Sequence, residues 1–283
     1  MPDAHATTVT TERARAKLTR SLRVVGRRAD GYHLLEAEMV TLDLADELEI
    51  TALVGGESHL ELHDAVTWTT GEPAAGMGGV PSGAENLVLR ALALCERRAA
   101  VRLTKRIPPG AGLGGGSADA AAVLRWAGVF DPAVAARLGA DVPFCVHGGR
   151  AHVSGVGEQV SPLPPVDLSV VLCIPAIAVP TAAVYHAFDE VGGIGSDGAN
   201  DLEPAALAVV PELVRWRDAL AVAAGQRPRL AGSGATWFLE CAPTDAEALE
   251  KEIAAALGAA MLPAAVVRCR ADNGEHPAPG ATD

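Results

Sequence analysis

Apolar residues recur along the chain in two rhythms, and the rhythms assign most of its elements. Ala14–Val25 alternates as a strand does, and Glu36–Ile50 reads as a second strand pair. From Asn86 the period lengthens. Leu87, Leu89, Ala91, Leu94 and Cys95 mark a helix over Asn86–Arg97, with Asn86 near its cap. Val101–Ile107 predicts a strand, followed by helices from about Ser117 to Trp126 and over Pro132–Leu138. The pattern restarts after Gly157. Leu168–Ile174, Thr236–Cys241 and Ala265–Arg270 read as strands. Thr181–Val191, Pro211–Ala224 and Asp245–Leu257 read as helices, the first with Thr181 as its cap. Met1–Thr11, Thr69–Ala84 and Asp272–Asp283 carry no periodicity, and the middle one is rich in Gly and Pro. Strands and helices mix in both halves. The expected organisation is two domains, 1–157 and 158–283, each mixing strands and helices.

Composition narrows what these domains do. Hydrophobic residues are 49% of the 283, which supports two cores, and aromatics are only 4%, so the helices must pack through small side chains. The formal net charge is −12 and no basic stretch stands out, which argues against a nucleic-acid partner. An anionic ligand must therefore be held by a local cluster of donors. No apolar run is long enough to span a membrane, and Met1–Thr11 lacks the apolar stretch of a secretory signal. Five widely spaced cysteines without a C-x-x-C pair read as reduced thiols. Together these features predict a cytoplasmic protein, monomer or homodimer, without membrane or nucleic-acid partners.

The densest chemical signal is Pro108-Pro109-Gly110-Ala111-Gly112-Leu113-Gly114-Gly115-Gly116-Ser117-Ala118. Its glycines let backbone N–H groups turn towards a ligand, and the helix that follows adds its positive N-terminal end. That is an anion cradle. It lacks the G-x-x-x-x-G-K-[ST] of a Walker loop. Gly110, Gly112 and Gly115 match G-x-G-x-x-G, but two prolines separate strand from loop, which spoils the tight turn of a dinucleotide fold.

This loop closely resembles the ATP loop of the GHMP kinases. Further stretches, in the same order as in that superfamily, are Ala16-Lys17-Leu18, Arg27 to His33, Leu138 to Phe144, Gly155 to Glu158, Pro180-Thr181, Asn200-Asp201-Leu202 and Gly232 to Thr236. Asp30-Gly31-Tyr32-His33 resembles the branch that acts on a cytidine-diphosphate-linked methylerythritol, in non-mevalonate isoprenoid synthesis. The resemblance implies a two-domain α+β fold. Its N-terminal ATP-binding domain has a left-handed βαβ crossover, and its smaller C-terminal domain is a ferredoxin-like α/β sandwich. It further implies ATP bound with Mg2+, and a small cytidine-diphosphate alcohol as substrate.

The resemblance also assigns roles. Asp141 becomes the general base and Lys17 its cationic partner, whereas spacing alone reads Asp141 as a turn or helix-end residue before Pro143. Pro108 to Ala118, with Asn86 and Lys105, line the nucleotide site, and Ser117 can also serve the magnesium ion. Thr19, Tyr32, His33, Asp141, Thr181 and Tyr185 line the substrate site. His33 bonds the base and Tyr185 stacks on it, although Tyr185 alone fits core packing equally well. Two positions depart from the pattern. Thr19 stands where an Asn is usual, and Arg20 replaces an apolar residue, so it needs a partner or a route to solvent. The Ser117–Asp141 stretch is also shorter than usual. The alternatives are a GHMP kinase for another small alcohol, a nucleotide-binding homologue without activity and, more distantly, a dinucleotide oxidoreductase.

Overall fold

The computed structural model describes residues 8–71, 79–192 and 198–273. The Gly/Pro-rich 72–78 and the polar tail from 274 lie outside them, as do residues 1–7.

The N-terminal half is a six-stranded sheet backed by helices. Strands β1 (Val9–Arg27) and β2 (His33–Ala52) form one long antiparallel hairpin. β1 therefore begins inside the segment expected to be loose, and Glu36–Ile50 is one continuous strand rather than a pair. Short β3 (His59–Asp64) precedes helix α1 (Leu87–Leu94), and β4 (Ala99–Lys105) then pairs parallel to β3. The alternation is strict enough in β3 to be legible, with Leu60 and Leu62 facing the core. Helices α2 (Gly115–Trp126), α3 (Pro132–Ala136) and α4 (Val142–His147) follow, then the hairpin of β5 (Arg150–Gly155) and β6 (Gln159–Pro162). The strand order is β3-β4-β2-β5-β6, with β1 on the other edge of β2. α4 escaped the periodicity because its apolar run is buried all round. Pro143 fits there because the first helical turn needs no proline N–H.

The C-terminal half runs β7 (Ser169–Pro175), α5 (Thr181–Glu190), α6 (Glu203–Val209), α7 (Leu213–Ala224), β8 (Arg229–Leu230), β9 (Trp237–Cys241), α8 (Ala246–Ala259) and β10 (Ala264–Arg270). Its antiparallel sheet has the order β10-β7-β9-β8. Counting only these strands, that is fourth-first-third-second, the order of a split βαβ sandwich. The expected boundary at Gly157 falls in the β5–β6 turn, and the sheets change between Pro162 and Ser169. Pro180, not Thr181, holds the cap position of α5.

Three apolar clusters hold this together. One lies between the first sheet and α1 to α4, a second between the second sheet and α5 to α8. The third joins Ala16, Leu18 and Leu42 to Leu172, Phe238 and Ala265, gluing the halves. Each fully buried Leu contributes about 1.5–3 kcal/mol. Helix α2 shows why Ala dominates the composition. Ala120, Ala121 and Ala122 are all fully buried, so the helix is enclosed on every side without large side chains.

Arg20 has the partners its position demands. It binds Glu38 of β2, and its Nε and Nη2 lie 2.9 and 2.8 Å from Oε1 of Glu240 on β9. Arg150 bonds Glu38 at 2.9 Å, and Arg229, stacked over Phe238, binds Glu240. Five side chains thus form one ionic network from sheet to sheet. Burial alone would raise both carboxyls. The guanidiniums outweigh it, Arg150 and Arg20 lowering Glu38, and Arg20 and Arg229 lowering Glu240.

Candidate active site

A cavity of about 1070 Å³ opens between the glycine loop, the β1–β2 hairpin and α5. Nearly every residue expected at the site lines it: Lys17, Thr19, Tyr32, His33, Asn86, Lys105, Pro108 to Ser117, Asp141, Thr181 and Tyr185. Ala118 does not. It is 1% exposed and anchors α2 in the core.

The loop's shape follows from its glycines. Gly110, Gly112 and Gly114 have φ of 71°, 78° and 68°, a region that L side chains rarely adopt. Gly114 caps α2, so the helix starts at Gly115, two residues before the expected Ser117. The first-turn amides and the positive end of α2 consequently face the cavity side of the loop. Space demands glycine as well. A Cβ on Gly112 would stand 2.4 Å from the carbonyl oxygen of Gly234, and one on Gly114 2.8 Å from Cγ of Lys17. The loop Gly232 to Thr236 indeed closes over the glycine loop. The Thr236 hydroxyl donates to the Ala111 carbonyl at 2.7 Å. Asn200 braces that loop by donating to the Leu230 and Gly232 carbonyls at 2.9 and 2.7 Å.

Lys17 sits under this loop because β1 is irregular there. The β1–β2 register shifts between Arg15 and Lys17, and the Lys17 N–H donates to the Leu113 carbonyl at 2.9 Å. Such irregularities re-aim side chains. The ammonium, 7% exposed, lies 3.3 Å from Oδ2 of Asp141 and donates to Oγ1 of Thr19 at 3.2 Å. Thr19 therefore supplies an acceptor for Lys17 and keeps one hydroxyl donor, where an Asn would present an amide with two N–H donors. Asp141 is 32% exposed at the start of α4 and caps no backbone N–H with its side chain, so its carboxylate faces the cavity.

Two expected nucleotide residues have their polar groups already engaged. Asn86 caps α1 by accepting from the Val88 N–H at 2.8 Å and donates to the Pro81 carbonyl at 2.6 Å. The Lys105 ammonium is held by Asp46 and, at 2.7 Å, by Oδ2 of Asp119. Burial would lower this lysine, but the two carboxylates raise it. Burial pushes Asp119 up to about 7, with Lys105 opposing and Asp46 adding to the rise. Oδ1 of Asp119 is buried without a hydrogen-bond partner. Sequence reasoning missed both acids. The signal for Asp46 was its place in the inward phase of β2, with Leu48 and Ile50.

The hairpin tip builds the other end of the cavity. Gly31, at φ 92°, turns the chain, and Arg27 pairs with His33 across the ladder. Tyr32 is 64% exposed, whereas the His33 ring packs against Tyr185, centroids 4.9 Å apart and 22° between planes. One face of Tyr185 is thus covered by His33. Nε2 of His33 is 2.7 Å from Oδ1 of Asp189, and Nη1 of Arg27 is 3.2 Å from Oδ2. The His33 hydrogen bond, helped by the guanidinium of Arg27, holds Asp189 below the usual carboxylate range. Burial pushes the Tyr185 phenol up to about 12, with a smaller contribution from Asp141, so it stays neutral. Thr181 bonds Ser233 at 3.0 Å across the cavity mouth. Asp189 was also missed. Thr181, Tyr185 and Asp189 form an i, i+4, i+8 stripe on α5, which was its signal.

Among the described residues no group of three or more His, Cys, Asp or Glu is arranged to hold a metal. Magnesium carried by a nucleotide needs only one or two protein oxygens, because phosphates and water fill the rest. The Ser117 hydroxyl, in the first turn of α2, is of that kind.

Residues 86–149 match the family of the GHMP kinases N terminal domain. The chain is 39% identical over 263 residues to 4-diphosphocytidyl-2-C-methyl-D-erythritol kinase of Paracoccus denitrificans strain Pd 1222, covering 86% of this chain and 91% of that one. It is 39% identical over 281 residues to the enzyme of the same name from Rhodopseudomonas palustris strain CGA009, covering 84% and 90%. A crystal structure of 4-(cytidine 5'-diphospho)-2C-methyl-D-erythritol kinase superposes with a TM-score of 0.69 at 31% identity, over 93% of this chain and all of that one. Homoserine kinase from Cytophaga hutchinsonii shares the fold at 17% identity and a TM-score of 0.61, covering 96% of this chain and 98% of that one.

Proposed function

The chain belongs to the 4-diphosphocytidyl-2-C-methyl-D-erythritol kinases, within the GHMP kinases, and on that premise we propose that it moves the γ-phosphoryl group of ATP to the 2-hydroxyl of 4-diphosphocytidyl-2-C-methyl-D-erythritol. The observation that carries this reading is the Lys17–Asp141 pair, 3.3 Å apart beside the glycine loop. The loop amides and the end of α2 receive the phosphates, and Ser117 offers an oxygen to the magnesium ion that neutralises them. The substrate hydroxyl lies against Asp141, which takes or orients its proton as the oxygen attacks phosphorus. Lys17 orients that carboxylate through their ion pair and faces the charge developing on the transferred group. Thr19 holds Lys17 in place. The base lies at the hairpin tip, near His33 and Tyr185.

Asp141→Asn tests the assignment. Coupled ADP release should fall about 10²–10⁴-fold in kcat while nucleotide binding persists. A variant turning over at the wild-type rate would remove Asp141 from the mechanism.

A further inference from the structure

Base recognition needs more than the residues named so far. Cytosine and uracil have the same shape and differ along one edge, where cytosine presents an amine donor and uracil a carbonyl acceptor. At that edge a cavity favours cytosine by offering its amine an acceptor fixed in place. A histidine can offer either sign, because a neutral imidazole has one donor and one acceptor nitrogen, and the hydrogen bond at one decides the other.

His33 has such a bond. Its Nε2 lies 2.7 Å from Oδ1 of Asp189, and Asp189 is itself fixed at its other oxygen by Arg27 at 3.2 Å. Arg27 in turn donates through Nε to the Gly31 carbonyl at 3.1 Å, tying the group to the hairpin turn. An ionised carboxylate only accepts, so Nε2 must carry the proton. Stacking on Tyr185 and edge contact with Phe188 at 6.1 Å fix the ring plane. His33 lines the cavity, and Nδ1 has no partner among the described residues.

We propose that Asp189 is a positioning residue for nucleobase choice: by accepting the Nε2 proton it leaves Nδ1 of His33 as a fixed acceptor, which takes the cytosine amine and opposes the uracil carbonyl. The inference rests on the cytidyl-substrate reading above. An Asn at 189 can donate as well as accept, so it releases the tautomer without changing size.

The test compares wild type, Asp189→Asn and Asp189→Glu with the cytidine-diphosphate alcohol and its uridine counterpart. It is read by ADP release, by CDP and UDP affinities, and by the nitrogen-15 spectrum of the His33 ring. Wild type should show the Nε2-protonated neutral form and favour cytidine. In Asp189→Asn the cytidine-to-uridine ratio of kcat/KM should fall at least tenfold, through KM for the cytidyl substrate, and the CDP-to-UDP affinity ratio should fall with it. Asp189→Glu should restore part of both ratios. An unchanged ratio in Asp189→Asn, a loss equal for both bases, or an imidazolium in the wild type would overturn the proposal. Wild type that ignores the cytidyl substrate altogether would instead defeat the reading beneath it.

Discussion

At the scale of residues, the site is a set of charges each given a specific neighbour. Lys17 is nearly enclosed, so its ammonium depends on Asp141 and Thr19. Thr19→Val keeps the shape and removes one acceptor. A hydrogen bond to a charged group is worth about 1.5–3 kcal/mol, so denaturant unfolding should register a loss of that order. The kcat should drop too, by less than in Asp141→Asn, because the ion pair remains. Stability equal to wild type would show that Thr19 does not hold the lysine. Lys17, Asp141 and His33 were legible because they stand in recognisable runs. Asp119 and Asp189 were not, since each depends on a partner far away in sequence, Lys105 at 14 positions and His33 at 156. The α5 stripe places Asp189 on the face of Thr181 and Tyr185, but nothing local names His33 as its partner.

At the scale of elements, the glycine loop works because a second loop lies on it. Gly112→Ala must displace the Gly234 carbonyl, as well as adopt a positive φ. Gly110→Ala meets nothing within 4 Å and bears only the backbone strain, about 1–2 kcal/mol. ATP affinity measured calorimetrically should therefore fall much further in Gly112→Ala than in Gly110→Ala. Equal losses would mean that conformation, not the packing of the two loops, controls the site. Elements with one apolar face, such as α1, were readable within a few residues, down to the Asn86 cap. Short α4 and α6 were not: the apolar run of α4, Val142 to Val146, is buried throughout, and the apolar residues that α6 buries are only the small Ala205 and Ala206. The long β1–β2 hairpin also ran past its expected start, its first residues pairing through backbone rather than apolar side chains.

At the scale of the molecule, the cavity is lined from both halves. Lys17 and Asp141 come from one side of the apolar junction, Tyr185 and the Gly232–Thr236 loop from the other. The ionic network around Arg20 crosses the same junction, which makes the departure at Arg20 a cross-link rather than a defect. Glu38 and Glu240 titrate below their unfolded value when folded, so they bind fewer protons in the native state. Their stabilisation is complete above about pH 4.3, the unfolded glutamate value, and is lost as pH falls through the lower folded values. Glu240→Gln should cost about 1–3 kcal/mol near neutrality, and the gap to wild type should close in acid. Urea midpoints across pH 2.5–7 check this; a gap that persists at the acid end would place the effect in packing instead.

The identity of the acceptor is decided by ADP release with 4-diphosphocytidyl-2-C-methyl-D-erythritol, set against homoserine, mevalonate and the uridine analogue. A site that pairs its polar groups with one substrate rejects a mismatched one by as much as about 10⁴–10⁵. ATP-dependent turnover is expected with the cytidyl alcohol, and kcat/KM orders of magnitude lower for the other acceptors. Comparable turnover of homoserine or mevalonate, or none of the cytidyl alcohol, would rule out the cytidyl alcohol as the acceptor.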